Sequence, residues 1–290
     1  MALPLLFVAI VLLFCVFIPG IGVSILGAKR WINTHVFLLQ PAEFVKLALA
    51  IYLAAWFSNK EKERSIAFFG LLGTIMVLIM LEPDMGTAAI ILSEALIMYF
   101  LEGAKLTYFF YSIPVLGIIS FILVKLAPYR AARLSTFFNA SSAPETASYH
   151  IRQILIALGM GGITGVGLGN SLQKYAYLPE STTDSIFAII AEEIGFLGSI
   201  IFLSLFIIVI WRGFFIAIHA KDQFGRLLAG GIISFLSVQT IINLTAQTAL
   251  LPLTGVPLPF VSYGGSSLLV DLSAIGILLN IGRLRHKTHI

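Results

Sequence analysis

The chain has 290 residues, 59% of them hydrophobic and only 11% charged, with a formal net charge of +4. A mean hydropathy of +1.00 excludes an ordinary soluble domain, and so small a net charge excludes the broad positive field of a nucleic-acid binder. Cys15 is the single cysteine, which excludes an intramolecular disulfide and any cysteine-built metal cluster.

Apolar runs long enough to enter a bilayer recur from end to end and predict an all-α, polytopic membrane protein. They fall at 4–26, 41–57, 66–81, 88–101, 108–126, 185–211, 227–248 and 268–282, about eight transmembrane helices. The first run lacks a basic n-region and a small-residue cleavage site, so it reads as a membrane segment rather than a signal peptide. With both termini placed in the cytoplasm, most lysines and arginines outside the spans lie inside, as the positive-inside rule requires. Lys29, Arg30, Arg130, Arg133, Arg152 and Lys174 remain outside and call for a reason.

In chain order, "GAKRWI" sets Lys29 and Arg30 beside a tryptophan, as a headgroup anchor or an anion site. "QPAEFVKLALA" puts Glu43 and Lys46 on one helical face, either as a self-neutralising pair or as the lining of a polar cavity. "LEPDMGT" carries Glu82 and Asp84 around a proline, where they can cap the following helix. Residues 127–184 make a connection far longer than packed helices need, either a functional loop or a disordered insertion on the extracytoplasmic side, and its content argues for function. Arg130 and Arg133 open it, and "SYHIRQILIALGMGGITGVGLGNS" reads as an amphipathic or re-entrant segment ending in glycines.

"PESTTDSIFAIIAEE" spaces Asp184 and Glu192 eight residues apart, which on a helix predicts one stripe with the two acids about 12 Å apart. Asp184 would sit at the outer mouth, answering the helix dipole or acting on a substrate, and Glu192 deeper, as a buried hydrogen-bonded acid or a functional one. "LPLTGVPLPFVSYGGSS", residues 251–267, is too rich in proline and glycine for a continuous helix, yet apolar. That predicts irregular backbone buried in protein or lining a wet cavity. Cations beside acidic helix mouths equip the external face for an amphiphilic phosphate compound and a proton-abstracting group.

Five stretches in order resemble the SEDS family (shape, elongation, division and sporulation), bacterial peptidoglycan polymerases: "GAKRWI" with "QPAEFVK", "EPDMGTA", "GLGNSLQKYAYLPESTTDSIFAIIAEEIGFLG", "LPLTGVPLPFVSYGGSS" and "AIGILLNIGR". "GNSLQKYAYLPE" is similar to the division branch, FtsW, rather than to the elongation branch, RodA. The resemblance implies one SEDS-type integral domain over 1–290, with a family fold of about ten membrane helices. The chain opens at what resembles the family's third helix, so two helices would be missing and the activity of the chain alone is in question.

The resemblance further implies glycosyl transfer, joining the disaccharides of lipid II into glycan strands and releasing undecaprenyl pyrophosphate. It makes Asp184 the catalytic base. Lys29, Arg30, Arg130, Arg133 and Lys174 become pyrophosphate contacts, and Glu43, Lys46, Asp84 and Glu192 shape the cavity, with Ser262 and Gly264 of "SYGGSS" among the substrate-binding positions. No protein-held metal is expected; Mg²⁺ or Mn²⁺ could accompany the substrate pyrophosphate. The implied partners are lipid II, a class B penicillin-binding protein and other divisome membrane proteins, in the bacterial cytoplasmic (inner) membrane. Three other readings stand beside this one: a lipid II flippase using the same cations, a RodA-like polymerase of the elongation machinery, and a noncatalytic division scaffold. Thr182, Ser185 and Asp271 depart from the common family pattern, and the first rules out a His–Asp dyad at that turn.

Overall fold

The computed structural model describes residues 2–25, 28–34, 36–59, 65–104, 145–176 and 178–286. The span expected at 108–126, together with Arg130 and Arg133, lies outside the described residues. The chain folds as two compact units, one made of Met1–Ala104, Val209–Gln239 and Gly264–Ile290, the other of Lys105–Ile208 and Thr240–Tyr263.

The first unit opens with α1 (Ala2–Cys15), shorter than the 4–26 run predicts. Pro19 cannot continue a helix, and Gly20 at φ +91° turns the chain. The remainder of the run enters a strand, a local departure within a mostly helical fold. β1 (Gly22–Ile25), β2 (Ala28–Asn33) and β3 (Leu38–Leu39) form an antiparallel sheet in that order. The alternation of β-branched and polar residues was hidden beneath the hydropathy of the run. Then come α2 (Pro41–Ser58), α3 (Ser65–Leu81) and α4 (Met85–Leu101). Pro41 starts α2 in the first turn, where its missing N–H costs nothing. Phe68 stacks on Tyr99 with ring centroids 4.5 Å apart, joining α3 to α4. Added as a Cβ, a methyl group at Gly231 would stand 2.6 Å from Met98 Sδ, so that glycine lets α8 (Gln223–Gln247) approach α4. The last helix is α9 (Gly265–His286).

In the second unit, α5 (Glu145–Met160) and the short α6 (Gln173–Ala176) occupy part of the long connection, followed by α7 (Ile186–Ile218), whose residues from Val209 on belong to the first unit. Gly195, at φ +68° and ψ −171°, breaks α7. The groups freed by that break are satisfied by the glycine-rich loop. Phe196 and Leu197 donate to the carbonyls of Gly162 and Ile163 (2.9 and 3.2 Å), while Val166 and Gly167 donate to those of Glu192 and Glu193 (both 3.0 Å). Backbone irregularity at membrane depth is tolerated only with such replacement. A Cβ at Gly165 would lie 2.2 Å from Glu193 O, and one at Gly195 2.2 Å from Gly165 N. Only glycines permit the exchange. Residues 196–218 of α7, at about 1.5 Å per residue, then span about 34 Å, enough for a hydrocarbon core.

Among the described residues, Pro41–Ser58, Ile186–Ile218, Gln223–Gln247 and Gly265–Leu284 are long and apolar enough to cross a membrane, and three shorter apolar helices accompany them. The protein is a mostly helical, multi-pass membrane protein.

Candidate active site

Asp184 lies on the turn 181–185, just before α7 begins at Ile186. The stripe running from Asp184 to Glu192 required a helix from residue 184 onward. The helix starts two residues later, and Asp184 is half-buried on the turn before it. The 251–263 segment and α8 clamp this turn. Ser262 Oγ donates to Thr183 O at 2.6 Å and accepts from Leu258 N at 2.7 Å, and Tyr263 N donates to Thr182 O at 2.9 Å. Asn243 Nδ2 donates to Asp184 O at 3.0 Å and to Val256 O at 2.8 Å. Gln247 Nε2 holds Asn243 Oδ1 at 2.6 Å, while Gln247 Oε1 accepts from Ala188 N at 2.8 Å. Gly255, at φ +73°, passes so close that a Cβ there would lie 3.3 Å from Asp184 Oδ2. The irregular backbone that the prolines and glycines predict is thus buried against the turn bearing Asp184.

Glu192 is fully buried and serves the loop: Ser171 Oγ donates to its Oε2 at 2.5 Å and Leu172 N to its Oε1 at 3.3 Å. Lys174 extends an exposed side chain one turn further on, its backbone N–H on Ser171 Oγ at 3.1 Å.

The remaining described candidates belong to the first unit. Lys29 and Arg30 alternate along β2, as strand geometry requires; Lys29 is exposed, and Arg30 donates to the carbonyls of Glu82 (3.0 Å) and Pro83. Asp84 caps α4, accepting from Thr87 N at 3.0 Å and Thr87 Oγ1 at 2.9 Å, with Gln40 Nε2 at 3.4 Å. In the turn between α3 and α4, burial first, then the charge of Asp84, push the Glu82 carboxyl up to about 8 against the opposing pull of Arg30. Gly264 precedes α9, its carbonyl accepting from Leu268 N at 2.9 Å. Glu43 and Lys46 pair at 2.8 Å in the interior, and Lys46 Nζ also donates to Gln239 Oε1 at 2.5 Å and sits 5.6 Å from the Phe235 ring centroid.

Sequence reasoning passed over several of these polar groups. Glu94 on α4 is fully buried, its carboxylate oxygens have no hydrogen-bond partner among the described residues, and Lys46 is the cation whose charge reaches it. Its signal was an acid in the middle of a span. Gln239, Asn243 and Gln247 are all buried and recur every fourth residue along α8, a polar stripe that helical periodicity makes visible. No group of three or more His, Cys, Asp or Glu side chains is arranged to hold a metal among the described residues.

The FtsW/RodA/SpoVE family, described as "Cell cycle protein", matches residues 1–287. The chain is 42% identical over 279 residues to stage V sporulation protein E of Bacillus subtilis strain 168, covering 94% of this chain and 76% of that protein. It is also 42% identical over 286 residues to a probable peptidoglycan glycosyltransferase FtsW of Trichlorobacter lovleyi, covering 97% and 75%. Among solved structures it resembles a chain from work on the structural coordination of polymerization and crosslinking by a peptidoglycan synthase complex, with a TM-score of 0.81 at 26% identity over 98% of this chain and 81% of that one. The rod shape determining protein RodA of Thermus thermophilus gives a TM-score of 0.70 at 27% identity, covering 98% and 78%.

Proposed function

This chain belongs to the FtsW/RodA/SpoVE family, and from that premise we propose that it is a peptidoglycan glycosyltransferase that polymerises lipid II at the outer face of the bacterial cytoplasmic membrane. Relatives named as peptidoglycan glycosyltransferases, at 42% identity over nearly the whole chain, support the reaction class. Asp184 is the general base. Its carboxylate takes the proton of the acceptor sugar hydroxyl as that oxygen bonds to the anomeric carbon of the donor, and the bond from that carbon to the pyrophosphate oxygen breaks. Undecaprenyl pyrophosphate leaves as an anion, and the exposed Lys174, in the same unit as Asp184, is a described side chain able to meet its charge. A divalent cation, Mg²⁺ or Mn²⁺, would come with the substrate phosphates.

The observation that carries this reading is the immobilised turn at Asp184, where hydrogen bonds from Asn243, Ser262 and Tyr263 hold three successive carbonyls. A base must be held in place to be effective. The FtsW-like "GNSLQKYAYLPE" favours service in cell division, with a class B penicillin-binding protein and other divisome membrane proteins as partners. The buried Glu43, Lys46 and Glu94 favour a second reading, a lipid II flippase that uses polar groups within the membrane.

The test is strand synthesis from labelled lipid II by the full-length protein with its transpeptidase. Asp184→Asn should lower the rate by about 100-fold or more while its melting temperature stays near that of wild type. Full activity in that variant excludes Asp184 as the base. Inert wild type that still moves lipid II across vesicles favours the flippase.

A further inference from the structure

We propose that His150 is a positioning residue for glycosyl transfer, acting through Ser185 to hold the turn that presents Asp184; the proposal rests on the reading of Asp184 as the base. His150 lies on α5 and Ser185 at the entrance to α7, and His150 Nε2 stands 2.9 Å from Ser185 Oγ.

Ser185 occupies the N-cap place, where a serine hydroxyl ordinarily accepts from the backbone N–H two or three residues on. Here the Ala188 N–H is met by Gln247 Oε1 at 2.8 Å, which frees the serine hydroxyl to engage the imidazole. Ser185 is only 1% exposed, so water has little access to replace His150 if the ring is removed. The Ser185 N–H donates to Glu180 O at 3.2 Å, closing the turn that contains Asp184. Asp184 is thus tied at its own carbonyl by Asn243 and at the next side chain by His150. A hydroxyl both donates and accepts, so the contact works with either neutral tautomer of the ring. Thr182 leaves no histidine on the turn itself; α5 supplies an imidazole to it from 35 residues away.

The experiment measures kcat and KM for strand synthesis from labelled lipid II, using full-length protein with its transpeptidase, for wild type, His150→Phe, His150→Gln, Ser185→Ala, Asp184→Asn and the double variant Ser185→Ala/His150→Phe. Phenylalanine keeps the ring volume and removes the hydrogen bond, whereas glutamine offers one in its place. Expected are a kcat about 10- to 100-fold lower in His150→Phe with KM within about twofold, since small misplacements of a catalytic group cost this much. His150→Gln should return to within about threefold of wild type, and the double variant should be no slower than the worse single one, because both remove one contact. If His150→Phe does not fold, Ser185→Ala carries the same expected loss in kcat.

Equal impairment in His150→Gln and His150→Phe, multiplying losses in the double variant, or a wild-type rate in both His150→Phe and Ser185→Ala would each overturn the proposal. Activity in Asp184→Asn would remove the base reading and this proposal together. An inactive Asp184→Asn beside an unimpaired His150→Phe would remove this proposal alone.

Discussion

In the first unit the buried polarity centres on an ion pair: Glu43 and Lys46 are withdrawn from solvent and pair at 2.8 Å, with Glu94 also buried on α4. In the second unit, the polarity around Asp184 comes from neutral amides, hydroxyls and backbone, with Asn243, Gln247 and Ser262 donating to or accepting from fixed partners. Ionic burial demands near-complete compensation, because an isolated charge in a low-dielectric interior is very costly. Neutral amides can fix a backbone at much smaller cost and leave a nearby carboxylate half-buried. The first arrangement suits an internal strut, the second a turn held rigid near the surface.

Removing one partner from each cluster should expose the contrast. Lys46→Met leaves Glu43 without its ion pair and should cost about 3–5 kcal/mol, as breaking buried pairs does. The double change Glu43→Gln with Lys46→Met should recover much of that loss, read as melting temperature in detergent. Asn243→Leu leaves the carbonyls of Asp184 and Val256 without this donor, at about 1–2 kcal/mol each, and should also slow strand synthesis. If Asn243→Leu destabilises more than Lys46→Met, the ionic and neutral clusters do not differ as described.

The smallest effect concerns pH. Burial and Asp84 raise the Glu82 carboxyl from 4.5 to about 8, so between those values the folded protein keeps a proton that the unfolded chain has lost. The stability this contributes is fully present below the unfolded value and is lost as pH rises through the folded one. Melting temperature should therefore decline by a few degrees from about pH 5 to pH 8, and Glu82→Gln should flatten that decline. An identical decline in the variant would assign it to other groups.

Much of the helical framework was legible in hydropathy. The runs at 41–57, 66–81, 185–211 and 227–248 correspond to Pro41–Ser58, Ser65–Leu81, Ile186–Ile218 and Gln223–Gln247. The sheet at 22–39 escaped because an apolar run conceals where helix gives way to strand. The break at Gly195 escaped because "IGFLG" is apolar throughout, and only the approach of residues 162–167 makes the kink tolerable. Glu94 and the amide stripe on α8 could have been found from position and spacing alone.

Hydropathy, periodicity and motif order are carried by neighbouring residues, so the membrane class, most described spans, the family and the presence of Asp184 in "TTDSIFA" could be read along the chain. That Glu192 anchors a loop, that Arg30 binds carbonyls, and that His150 meets Ser185 emerged only from the folded arrangement. Hydrogen bonds form only within about 3 Å, and which distant groups come that close is settled by how the helices pack.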